Sequence, residues 1–150
     1  QHPRLKHWGE EHDEGLQRLQ ALREAFLRGD APLARSQAQH FRIELNAHHA
    51  HEEAHLFPRL EAQFADGGPI PQMRAEHRRL AELAALVEES MLAPLRVEEA
   101  KAWMEALEVL LKEHLDREAT LLYPLAETSL APTEQEQLAR FFSPAEGNLE

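Results

Sequence analysis

The segment His48-His49-Ala50-His51-Glu52-Glu53-Ala54-His55-Leu56-Phe57-Pro58 holds four of the chain's ten histidines within eight residues. It contains HEEAH, a match to the H-E-x-x-H signature in which two histidines bind zinc and the glutamate is general base. That reading assigns His51 and His55 to zinc and Glu52 to proton transfer in a hydrolase. The same segment contains His48 and Glu52 four residues apart, which claims Glu52 for a different kind of metal chemistry.

A second copy of the pattern weighs on the choice. Glu11-His12 is echoed by Glu76-His77, and His48-x-x-x-Glu52 by His114-x-x-x-Glu118. Each glutamate is followed by a leucine and an aromatic-proline pair, Leu56-Phe57-Pro58 and Leu122-Tyr123-Pro124. Every element maps onto its copy with a nearly constant offset along the chain. The second copy keeps H-x-x-x-E and lacks H-E-x-x-H, so HEEAH is read as a coincidence of a His- and Glu-rich stretch.

Helix geometry says what the repeat presents. At about 100° per residue, positions four apart differ by about 40° around the axis, so His48 and Glu52 project from one face. With His48 at zero, Phe41 falls at about 20° and Leu45 at about 60°, so that face is also apolar. Leu107, Leu111, His114 and Glu118 share a stripe in the same way. Buried carboxylates need partners, because an isolated buried charge is very costly. The bland arrangement is two buried His–Glu hydrogen bonds. Four imidazoles and two carboxylates converging from His12, His48, Glu52, His77, His114 and Glu118 fit two metal ions better, with the glutamates able to bridge them. Nitrogen and oxygen donors suit iron, manganese or zinc.

The other histidines divide by angle. His49, at about 100°, is expected at solvent or a helix boundary, and His51, about 60° off His48, at the rim. His2, His7 and His40 match no repeat element and are expected at the surface. His55, at about −20°, lies on the metal face where the second copy has Leu121. It is open between an extra ligand, a donor to a ligand and a core histidine.

The elements that must position these groups are helical. Ala, Leu, Glu, Arg and Gln dominate, and Gly and Pro fall mainly between periodic stretches. Helices are expected over about 3–28, from Asp30 as N-cap to roughly Phe64, over 71–91 and over 97–129. Asp66-Gly67-Gly68-Pro69-Ile70-Pro71 is the breaker between the middle pair. Thr133 with Glu136 reads as a capping box for a short helix from Glu134 to Phe142. The expected fold is all-α, an antiparallel up-down four-helix bundle over residues 1–131, with a short C-terminal helix and tail over 132–150.

Composition bounds the rest. The 150 residues suffice for one domain with a real core, and 43% are hydrophobic. A net charge of −11 argues against nucleic acid and anionic membranes as partners, and no apolar run approaches a membrane span. The absence of cysteine removes disulfides, thiolate metal sites and cysteine nucleophiles. A soluble, cytoplasmic protein is expected. No secretory signal is visible, and a start at Gln1 leaves a processed N-terminus open.

The combined pattern, His12, His48-x-x-x-Glu52, His77, His114-x-x-x-Glu118 with its E-H and L-[FY]-P flanks, resembles the hemerythrin-like, or HHE cation-binding, family over roughly residues 5–128. The resemblance implies a four-helix bundle around a non-haem di-iron centre bridged by the two glutamates. His12 and His48 would bind one iron, and His77 and His114 the other. Zinc or manganese can stand in for iron in a given preparation. The oxygen carriers of the family have a further histidine where this chain has Met73, and H-x-x-x-x-D where it has H-x-x-x-E. Fewer histidines imply more open positions on the metals. The ligand set is more similar to the iron-repair, nitrosative-stress and iron-sensing branches. The expected role is binding or sensing of O2 or NO, or an iron, oxidative or nitrosative stress response, with a redox or regulatory protein partner, as monomer or homodimer. A di-iron enzyme reducing peroxide, O2 or NO, or repairing iron centres, is the alternative, and the H-E-x-x-H zinc hydrolase the third.

Overall fold

The computed structural model describes residues 6–141, with the side chains of residues 6–12, 139 and 141 outside that description. All regular structure among the described residues is helical. Helix α1 spans Lys6–Leu27 and α2 spans Ala31–His51. A π-helical turn, Glu52–Leu56, joins α2 without a break to α3, Phe57–Glu61. Helix α4 is Ile70–Ser90 and α5 is Val97–Arg117. A second π turn, Glu118–Leu122, leads into α6, Tyr123–Ser129, and α7 follows at Pro132–Phe141.

The boundaries follow local chemistry. Gly29 takes a positive φ of 81° at the end of α1. Asp30 then caps α2, its Oδ1 accepting from the Leu33 N–H at 3.2 Å. Between α3 and α4 the chain turns at Gly67 and Gly68, and the Gly68 N–H donates to Asp66 Oδ1 at 3.0 Å. A Cβ on Gly68 would meet the Phe64 ring at 2.5 Å, so a side chain there requires that ring to move as well as a positive φ of 57°. The C-terminal helix starts earlier than expected, at Pro132 rather than Glu134, because proline suits a first helical position. The box there is closed by Glu134, whose carboxylate accepts from the Ala131 N–H at 3.0 Å, and Thr133 lies inside the helix.

The duplicated π turns have a sequence cause. Pro58 and Pro124 each follow a glutamate by six residues and clash with the carbonyl four residues back. The helix widens to relieve this, and the Phe57 and Tyr123 N–H groups bond to the Glu52 and Glu118 carbonyls instead. In an unbroken α-helix Phe57 would point about 180° from His48. The wider turn re-phases the rod, and Phe57 and Leu60 are fully buried.

Helix α1 packs on α2 and α5, and α4 packs on α5 and α2. Two separate apolar clusters result. One joins Leu22, Phe41, Leu45, Leu80, Leu107 and Leu111. The other joins Leu56, Phe57, Met73, Leu122 and Tyr123 with Leu138 of α7. Along α2 and α5 the chain runs from the first cluster to the second, and along α4 it runs the opposite way. In each of these three rods the residues between the two clusters include histidines and glutamates. No helix among the described residues is long and apolar enough to cross a membrane.

Candidate metal centre

Between the clusters lie Glu52, His114 and Glu118, all at 0% exposure, with His77 and His49 at 4% and 6%. Two sets of ligand atoms converge there, each within 4.8 Å of one another. One is His49, Glu52, His77 and His114; the other is His48, Glu52 and Glu118. Glu52 belongs to both. Its Oε2 lies 3.0 Å from His48 Nε2 and its Oε1 lies 3.0 Å from His77 Nε2. Glu118 Oε2 is 3.1 Å from His114 Nε2 and 4.0 Å from His77 Nε2.

The far sides of two rings are held by outer carboxylates. His77 donates Nδ1–H to Glu53 at 2.8 Å, and His114 donates Nδ1–H to Glu76 at 2.7 Å. The rings must be the donors, since an ionised carboxylate only accepts. Glu76 is itself braced by Gln72 Nε2 at 3.2 Å and by the Arg117 guanidinium. With Nδ1 committed, each Nε2 aims its lone pair inward. Both Nε2 atoms are buried and face carboxylate oxygens, His77 toward Glu52 at 3.0 Å and His114 toward Glu118 at 3.1 Å. Nitrogen lone pairs directed at carboxylate oxygens at hydrogen-bond range require positive charge between them, and a cation meets that requirement.

The titration of the rings expresses the same demand. Burial disfavours a charged His77, but Glu118 and Glu52 outweigh it and lift its pKa to about 9. Burial likewise opposes charge on His114, and Glu118 and Glu76 again prevail, so its pKa rises. His49 moves the other way. Burial and then repulsion from His77 hold its pKa well below the ordinary value. For Glu76 burial raises the pKa, yet the hydrogen bonds from His114 and Arg117 bring it below the usual carboxylate range.

The expected ligands fare unequally. His48, Glu52, His77, His114 and Glu118 are brought together. His12 lies in α1, but its side chain, like those of His2 and His7, is outside the described residues. His55 belongs to neither set of ligand atoms. A π turn closes over more residues than an α turn, so each step rotates less and His55 falls off the metal face. Its ring sits 6.3 Å from that of His51, which is exposed as expected for a rim residue. HEEAH thus splits, with Glu52 turned to His48 and His77. His40 is exposed and pairs with Arg18 at 3.1 Å.

His49 corrects the sequence reading, which expects it at solvent or a helix boundary. That expectation takes His48 itself as the centre of the core face. The buried residues of α2 are Ala34, Ala38, Phe41, Leu45 and His49, and their directions centre at about 60° from His48. His49, at about 100°, lies within that arc. An origin at the mean of the apolar positions finds it. Glu53 and Glu76 also escape the sequence reading as partners, although Glu76 stands in the E-H pair of the repeat.

The family model described as hemerythrin HHE cation binding domain matches residues 4–126. The chain belongs to the hemerythrin HHE cation-binding family. No curated protein and no solved structure matches it at a significant level. The match to the HHE domain spans His12 and every described residue of both ligand sets. A family of cation binders and a buried His/Glu cluster agree on metal binding. Within this HHE domain, Glu76→Gln is expected to weaken metal binding about 10–100-fold, the usual cost of losing a carboxylate behind a ligating histidine. Competition against a chelator of known affinity measures it, and an unchanged affinity would show that His114 needs no such support.

Proposed function

We propose that the chain is an antiparallel four-helix bundle holding two iron ions bridged by Glu52 and Glu118, and that it binds or senses O2 or NO in the cytoplasm as part of an iron, oxidative or nitrosative stress response. The bundle would comprise residues 1–131, with 132–150 appended to it. The observation that carries the reading is that the two oxygens of Glu52 face histidines of two different ligand sets. A single ion has no need of both oxygens turned to different sets, and a shared carboxylate is what a pair of ions requires to offset their mutual repulsion. His77 and His114 would hold one iron, and His48 with His12 the other.

When bound, such a pair of irons supplies redox-active positions to which a diatomic gas can bind. The chain's own residues prepare the place. Glu53 and Glu76 fix the tautomers and aim Nε2 of His77 and His114 inward. The flanking apolar clusters keep bulk water from the layer, which strengthens every charge interaction inside it. Zinc or manganese would fill the same donors without offering iron's gas chemistry.

The test is anaerobic loading with Fe(II), metal analysis, then exposure to O2 and separately to NO. Two irons per chain and a change in the visible spectrum with either gas are expected. A spectrum indifferent to both gases sinks the gas-binding role, and sustained turnover with an electron donor would shift the reading to an enzyme.

A further inference from the structure

We propose that His49 is a metal-ligating imidazole, serving the ion of the pair that His77 does not. The inference rests on the two-ion reading above. The repeat does not call for it, since the position after the second histidine is Leu115, which packs against the first apolar cluster.

Three observations carry the assignment. The His49 ring is 6% exposed, and its Nδ1 is buried with no hydrogen-bond partner. A buried polar atom left in that state costs about 1–3 kcal/mol unless something satisfies it. The ring also lies among the convergent ligand atoms of Glu52, His77 and His114. Its disposition toward His77 then decides which ion it can serve. The two rings are stacked, with centroids 3.7 Å apart and planes 6° from parallel.

An imidazole binds a metal through a nitrogen lone pair that lies in the ring plane. Two parallel planes separated by a stacking distance have no point in common, so one ion cannot satisfy both rings. They match two ions instead, because metals in two-ion sites sit about 3.5–4 Å apart, close to the stacking distance. His77 and His114, with centroids 4.9 Å apart and planes inclined by 67°, meet no such obstacle to sharing an ion. Serving the ion of His48, Glu52 and Glu118 would give that ion a second imidazole among the described residues, and Glu52, common to both sets, lies beside His49.

The competing role is packing alone, a ring laid on His77 to hold it in place. His49→Phe separates the two, since phenylalanine keeps the stacked ring and removes the nitrogens. The experiment titrates the metal-free protein with Co(II), counts bound ions, and records the exchangeable, hyperfine-shifted N–H proton resonances that coordinated imidazoles give. Relative to wild type, His49→Phe should lose one such resonance and bind one of its two Co(II) ions at least about tenfold more weakly. His49→Gln should show the same loss, and circular dichroism of each metal-free variant checks that the helices are kept. If both variants hold two Co(II) with wild-type affinity and the full set of shifted resonances, His49 is a packing residue and the inference falls alone. If wild type itself takes up fewer than two Co(II), the two-ion reading is overturned and the inference with it.

Discussion

If the centre holds two ions as proposed, Glu118→Ala is expected to reduce the metal content to at most one per chain, with His114→Ala doing the same. Glu118 contributes to the His48 set and also approaches His114 and His77, so its loss strips anionic charge from both halves of the centre. Losing even an outer carboxylate costs about 10–100-fold in affinity, and a group facing both ligand sets should exceed that range. His51→Ala is the control, because His51 is exposed and belongs to neither set. Elemental analysis of protein purified without added metal reads the outcome. Should His51→Ala empty the site while Glu118→Ala leaves it full, the H-E-x-x-H hydrolase arrangement would replace the one described here.

The second large effect is expected at Phe57, where truncation to alanine should cost about 3–5 kcal/mol of folding stability. For a chain of this size that corresponds to a fall in Tm of roughly 6–20 °C. Phe57 is fully buried in the second apolar cluster. Its ring stacks on His77 with centroids 5.1 Å apart, and the Arg74 guanidinium lies 5.5 Å from its centre. The cavity would thus open directly behind a candidate ligand. Thermal unfolding of the metal-free protein checks the figure. A loss below about 1 kcal/mol would mean that the second cluster collapses around the gap and that Phe57 does not wedge His77.

How far the sequence can be read depends on what kind of order each feature obeys. The long helices are legible because period, caps and breakers are local, and Gly29, Asp30 and the Gly67-Gly68 turn behave as their residue types dictate. The convergence of His48, Glu52, His77, His114 and Glu118 is legible because the chain states the motif twice. The π turns are not, although their cause, a proline following each glutamate of the repeat, is in plain view. A uniform rotation of about 100° per residue fails across them, and that rotation is what puts His55 on the metal face. His49 is lost to the choice of origin, since one ligand is a poor substitute for the mean direction of the apolar residues. Glu53 and Glu76 depend on contacts between different rods, Glu53 with His77 of α4 and Glu76 with His114 of α5, which no single-helix projection contains.

The layered arrangement of the core bears on how the molecule holds together as one body. Two oily plugs are joined through a slab of imidazoles and carboxylates, crossed by helical rods. Apolar contacts within each plug resist heat and salt in the usual way, but they do not bind one plug to the other. Besides the helical rods that run through it, the slab offers imidazoles and carboxylates whose charges balance only with positive charge among them, which protons can supply and a bound metal would. The centre is therefore also the mortar of the fold. Filling or emptying the slab is expected to change how tightly the end carrying α3, α6 and α7 is coupled to the rest of the chain in thermal unfolding.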